Sequence, residues 1–255
     1  MTVSAMNQRA WPAASDREFR YRGLLMALVY LAAFACYRLD GRMAGDALAG
    51  IFGALGVPAA SGAHRHLAFV VATALVTAGA ALRTWGTAYL NVDTMMDARL
   101  HTQRLVIAGP YRHVRNPLYL GNLLVVTGIG LLASRIGFFV LVLGMFAIVY
   151  RLIAREEQQL LQQHGFGFLQ FMAVPRLWPA WRPRVADASA QPRWADAFYG
   201  EIMLWAAGLA MAIYAATFSM AAFVVILIVG CLLSAARFRA ARRAATAKAA
   251  TSGQS

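Results

Sequence analysis

Six apolar stretches alternate with short, arginine-bearing polar segments along this chain: Arg22 to Tyr37, Leu67 to Leu90, Leu118 to Ala133, Ile136 to Ile153, Tyr199 to Phe218 and Ala221 to Ala236. At roughly 16 to 24 residues each, they have the length that crosses a ~30 Å hydrocarbon core at about 1.5 Å per residue. The third is short, so its neighbours set its tilt. A further run, Ala47 to Val57, is apolar but only about eleven residues long and is interrupted by Gly50, Gly53 and Gly56, which predicts an interfacial or re-entrant segment. No predicted strand precedes those glycines, so they do not make a nucleotide loop. The pattern predicts an all-α integral membrane protein with about six transmembrane helices.

Composition supports the bilayer as solvent. Sixty per cent of the residues are hydrophobic, only 14% are charged, and the mean hydropathy is +0.54; a soluble domain of this size needs far more surface charge. The net charge of +13 comes almost wholly from arginine, Lys248 being the one lysine. Arg9, Arg17, Arg20 and Arg22 precede the first span; Arg99, Arg104, Arg112 and Arg115 follow the second; Arg155, Arg176, Arg182, Arg184 and Arg193 follow the fourth; Arg237, Arg239, Arg242, Arg243 and Lys248 close the chain. Only Arg38, Arg42, Arg65 and Arg135 fall on the other side. The positive-inside rule then places both termini in the cytoplasm. Charges arranged as collars at span ends point to anionic headgroups as the partner, and no groove-reading motif suggests nucleic acid. Cys36 and Cys231 lie in apolar spans and read as packing residues. A polar stretch of about twenty residues precedes the first span, which reads as a retained anchor rather than a cleaved signal. The arginine and alanine bias points to a bacterial source and hence an inner-membrane location.

Two polar runs carry the chemistry. Gly109-Pro110-Tyr111-Arg112-His113-Val114-Arg115-Asn116-Pro117-Leu118-Tyr119-Leu120-Gly121-Asn122 stands at the mouth of the third span, and Arg155-Glu156-Glu157-Gln158-Gln159-Leu160 at the mouth of the fourth, on the same membrane face. Both resemble the pattern G-P-Y-x-x-x-R-H-P-x-Y-x-G, then E-E-x-x-L-x-x-x-x-G, of the isoprenylcysteine carboxyl methyltransferase and phospholipid methyltransferase family. The run from Gly165 to Pro179 is similar to the family's closing element, although phenylalanines stand for both tyrosines, one spacer residue is missing, and Asn116 replaces the usual histidine. The resemblance covers about Leu82 to Pro179. It implies S-adenosylmethionine as methyl donor, no metal, and a lipid or lipidated small-molecule acceptor reaching the site from the bilayer. On this reading residues 1–63 are the tail, first span and short apolar segment, 64–184 the methyltransferase core, and 185–255 a linker, a hairpin turning near Ser219 and a basic tail.

The residues offer specific roles. Asn116 and Pro117 read as N-cap and first residue of a helix, whose positive end, with Arg112 or Arg115, favours a carboxylate such as the cofactor's. Tyr111, His113, Tyr119 and Gly121 complete the expected cofactor-binding set with Glu156 and Glu157; for Gly121 the alternative is close helix packing. Adjacent helical residues project about 100° apart, so Glu156 and Glu157 cannot serve one point equally, and one is expected to hold Arg155 or Arg115. His164, seven residues on, returns to the Glu157 face and is a candidate base beside it, just before a helix stop at Gly165. Arg83, inside the second span, is expected to orient a carboxylate acceptor, as is Arg151; a mid-span arginine is costly unless it has a function. An amine acceptor would need Glu157 or His164 as base. Asp93 and Asp97 read as structural partners of Arg99 or Arg104. Two rival classes are a nicotinamide-dependent membrane reductase of a sterol-like or enone lipid, and a non-catalytic membrane protein; oligomeric state is not encoded.

Overall fold

The computed structural model describes residues 12–58, 60, 62–90, 107–186 and 191–252, with side chains as far as residue 240. Asp93, Asp97, Arg99, His101 and Arg104 lie outside the described residues. The described chain is all-α: α1 Asp16–Arg20, α2 Arg22–Ala35, α3 Ala44–Ala54, α4 Ala63–Tyr89, α5 Pro117–Gly130, α6 Arg135–His164, α7 Phe166–Phe171, α8 Trp194–Gly200, α9 Ile202–Thr217 and α10 Met220–Ser252.

Helices occupy the six apolar stretches, but the spans are fewer on length alone. Three, α4, α6 and the Met220–Ala240 part of α10, are long and apolar enough to cross a membrane, and α8 with α9 makes a fourth if that pair, bent by 63°, is one span. The helices α2 and α5 have 14 residues each, about 21 Å of rise. The predicted re-entrant run is the helix α3, and the hairpin turns at Phe218, whose φ is +52, with Ser219 capping α10 through the amide of Ala222.

Helix α4 is the hub, packed on α3, α5, α8 and α9. Its approach to α5 is set by glycines. A Cβ at Gly79 would lie 2.6 Å from the Gly121 carbonyl oxygen and 2.7 Å from Val125 Cγ2, and one at Gly128 would lie 2.6 Å from the Ala72 carbonyl oxygen. Small residues here let two backbones touch, the usual basis of helix association where lipid removes the hydrophobic driving force. The core above this contact is Phe69, Ala72, Val76, Val125, Met211 and Tyr214. At one end of the bundle the amides of Ala44 and Gly45 donate to the carbonyls of Ala133 and Leu131 at 2.8 and 2.9 Å, tying α3 to the α5–α6 turn.

At the other end α1 is clasped to α6. A capping box closes its start, the Ser15 amide donating to Glu18 and the Glu18 amide to Ser15 Oγ. Arg151 donates to both Glu18 oxygens at 2.9 and 2.7 Å, and Arg155 donates to Asp16 at 2.5 Å and to the Ala14 carbonyl at 3.1 Å. Arg151, expected to face an acceptor, is thereby a structural tie.

Gly79→Val is expected to overpack the α4–α5 contact and lower stability by about 1–3 kcal/mol, read as a fall in the thermal unfolding midpoint in detergent, whereas Gly50→Ala, where nothing lies within 4 Å of a new Cβ, leaves the midpoint in place. The Arg151 hydrogen bonds hold the Glu18 carboxyl down at about 2, from an ordinary value of 4.5. A lowered folded value means the clasp stabilises fully above pH 4.5 and is lost as pH falls from there through about 2; a nitroxide at the exposed Arg17 should gain mobility over that window and not above it.

Candidate functional site

The turn that leads into α5 is built by sequence. Gly109 has φ of +54 and a Cβ there would collide with the Tyr89 ring, so both backbone and packing require glycine. Pro110 and Tyr111 are buried, and Pro117 opens α5. Asn116 stands at the N-cap but does not cap. Its Nδ2 donates instead to the Arg176 carbonyl at 3.1 Å.

That bond is one of a ladder. The Arg115 amide donates to the Pro175 carbonyl at 2.8 Å, the Ala180 amide to His113 at 2.8 Å, and the Arg184 amide to Arg112 at 2.9 Å. Side chains join in, Arg112 Nε donating to the Val185 carbonyl at 3.0 Å and His113 Nδ1 lying 2.9 Å from the Ala180 carbonyl. The closing element therefore returns across the first motif as a strap. Arg112 and His113, expected at the cofactor, are strap anchors here.

The strap also delivers Arg176 to the second motif. Glu157, only 8% exposed, accepts from Arg176 Nη2 at 2.5 Å, and its other oxygen lies 3.5 Å from Arg115 Nη2. Arg176 Nη1 donates to Tyr150 Oη at 2.8 Å, with its guanidinium 5.1 Å above that ring. Glu156 faces elsewhere, accepting from Tyr119 Oη at 2.7 Å. The two carboxylates are divided as the helical geometry requires, Glu157 to the arginines and Glu156 to α5; Arg155, the other expected partner, goes to Asp16.

Several buried atoms of this cluster have no hydrogen-bond partner among the described residues: Tyr111 Oη, Arg115 Nε and Nη1, and Glu157 Oε1. Such atoms cost free energy until something bonds them. Two guanidinium donors and one carboxylate acceptor suit a ligand that carries both charges; the Tyr111 phenol stands apart from them, toward Arg83, Glu156 and Glu201. Burial pushes the Tyr111 hydroxyl upward and the Arg115 guanidinium downward from their ordinary values, against the pull of Glu157 on the latter.

Beside Tyr119 opens a cleft of about 450 Å³ lined by Arg20, Arg22, Gly23, Met26, Tyr119 and Asn122. Arg83 reaches it only indirectly. Its Nε and Nη2 donate to Glu201 at 2.9 and 2.8 Å, and its Nη1 donates to Asn122 Oδ1 at 3.0 Å. Glu201, 3% exposed, also accepts from Thr87 Oγ1 at 2.9 Å. The functional role expected of a mid-span arginine gives way to an ion pair with the one acid of the C-terminal hairpin. Gly121 is likewise a packing residue: a Cβ there would lie 2.6 Å from Arg83 Cγ and 2.9 Å from the Gly79 carbonyl oxygen, leaving no open face. His164 ends α6, about 10 Å of helix rise beyond Glu157. Arg176, Tyr150 and Glu201 were not assigned from sequence, nor was the α1–α2 wall. Arg176 stood in the closing element, and Glu201 is the single acid of the segment 199–236, whereas nothing marked Gly23 or Met26.

Comparison with known proteins meets the expectation from the motifs. Residues 67–165 match the family model for phospholipid methyltransferase, consistent with the isoprenylcysteine and phospholipid methyltransferase family. That match supports a membrane methyltransferase in general terms. The chain is 31% identical over 90 residues to the cobalt-zinc-cadmium resistance protein CzcN of Cupriavidus metallidurans, covering 35% of this chain and 40% of the relative. It is 31% identical over 111 residues to the nickel-cobalt-cadmium resistance protein NccN of Alcaligenes xylosoxydans xylosoxydans, covering 44% and 47%. The alignment thus spans less than half the length of either curated relative. No solved structure matches. Among the described residues no three His, Cys, Asp or Glu side chains come together as metal ligands.

Glu201→Ala should strip the partly buried Arg83 of its counter-charge and lower stability by up to about 3 kcal/mol. The double replacement Arg83→Met with Glu201→Leu should recover most of that, measured by denaturant unfolding in micelles.

Proposed function

We propose that this chain is an S-adenosylmethionine-dependent methyltransferase acting on an amphiphile held in the membrane, with the strap end of the bundle in the cytoplasm. The observation that supports it best is the meeting of the two motifs, Tyr119 with Glu156 and Arg115 with Glu157, around polar atoms that lack partners. The arginine excess on that side supports the orientation.

When bound, S-adenosylmethionine supplies an electrophilic methyl on a sulfonium. The chain's part is to position and to exclude water. Arg115 Nε and Nη1 are donors for a carboxylate, and Glu157 Oε1 is an acceptor for an ammonium group, so the two form a zwitterion-binding pair. Arg176 and the strap hold Glu157 in that attitude. Glu156, bonded to a phenol, is the better placed of the two to take a proton if the acceptor is an amine. If the acceptor is a carboxylate, no base is needed.

Calorimetry of the detergent-purified chain with S-adenosylhomocysteine should show binding that weakens about tenfold or more, roughly 1.4 kcal/mol, in both Arg115→Ala and Glu157→Gln. Equal affinity in all three proteins would discard this pocket.

A further inference from the structure

The cleft next to Tyr119 has a wall from outside the family-matched segment. Arg20, Arg22, Gly23 and Met26 belong to α1 and α2, and only Tyr119 and Asn122 belong to α5. No carboxylate lines it. Arg20 is exposed at the end of α1 and makes no ion pair among the described residues; neither does Arg22, whose Nη1 donates to the Phe19 carbonyl at 3.0 Å while its guanidinium lies 4.7 Å from the Phe19 ring. Arg155 stacks on that same ring at 4.9 Å, so Phe19 fixes Arg22 in place.

The remaining polar groups have the same sense. Asn122 Oδ1 is occupied by Arg83 Nη1, which leaves its NH2 as the part able to bond a ligand. Tyr119 is the exception, since its Oη donates its hydrogen bond to Glu156 and is left with lone pairs only. Donors therefore predominate at the polar end of the cleft, and guanidinium groups are the natural partners of planar or tetrahedral oxyanions. One turn deeper, Gly23 and Met26 form an apolar floor, Met26 packing inward toward Leu141 and Val149. Charge at the mouth and an apolar floor suit an amphiphile and not a free metabolite.

We infer that this cleft is an acceptor subsite that takes the anionic head, phosphate or carboxylate, of a membrane amphiphile between Arg20 and Arg22, beside Tyr119 and Glu156. The word acceptor rests on the methyltransferase reading above; the anion recognition does not. The clasp of α1 on α6 through Arg151 and Arg155 makes the wall a fixed part of the fold.

The test uses the full chain in detergent micelles and a fluorescent phosphatidic acid, displaced by unlabelled phosphatidic acid, by the matching uncharged diacylglycerol, and by inorganic phosphate. Phosphatidic acid should displace the probe about tenfold better than diacylglycerol, as expected for charge-assisted bonds to two guanidiniums. Arg20→Ala with Arg22→Gln should remove about that factor, whereas Arg17→Ala, on the same short helix and outside the cleft, should keep it and so controls for net charge. Displacement by inorganic phosphate assigns recognition to the head alone, and its failure to the head joined to its chains; both outcomes support the subsite. Equal displacement by the two lipids in the unaltered chain, or an unchanged ratio in the double variant, overturns it. So does a double variant that keeps the ratio but loses S-adenosylhomocysteine, since the arginines then serve the cofactor's carboxylate. An unaltered chain that discriminates between the lipids yet binds no S-adenosylhomocysteine refutes the enzyme reading and leaves the subsite standing.

Discussion

Charge set into an apolar bundle has to be neutralised from within, and that requirement decides which distant segments of this chain meet. Glu157 would be prohibitively costly alone at the lipid boundary. It is neutralised by Arg115 from the turn before α5 and by Arg176 from the strap after α7, so one carboxylate gathers three elements. Arg83 is neutralised by Glu201 across 118 residues. Neither pair is strong evidence of net stability, because desolvation offsets most of the attraction. Their effect is on specificity: any arrangement that separates the partners strands a charge.

Packing and charge are coupled where α4 crosses α5. Glycines at 79 and 121 bring the backbones close enough that the stem of Arg83 lies across Gly121. The guanidinium is thereby carried past α5 to Glu201 on one side and Asn122 on the other. A larger residue at 121 would displace the arginine before it reached either. The C-terminal hairpin, which lies beyond the family-matched segment, is joined through this arginine to a residue of the cleft.

Much of this was legible in the sequence, for identifiable reasons. The apolar periods placed the helices, and spacing of about one residue in 3.6 divided Glu156 from Glu157. The glycine at 165 did end its helix, with φ of +49. What pattern cannot report is partner choice. Asn116 before Pro117 has every local mark of a cap, yet its amide is drawn to the Arg176 carbonyl sixty residues away. Arg83 looked functional because its counter-ion lay outside the motif region. Helix length is hidden in the same way: hydropathy marks α2 and α5 as apolar but does not say that α5 is confined to the 14 residues between Pro117 and Gly130.

The division between the two glutamates also bears on how the site can work. A carboxylate fixed by two guanidiniums is a constant of the field, whatever occupies the site. One bonded to a phenol is responsive, because a hydroxyl can turn and a proton can be shared. Placing the two on consecutive residues of one helix, about 100° apart, turns one into the arginine cluster and the other toward Tyr119 of α5.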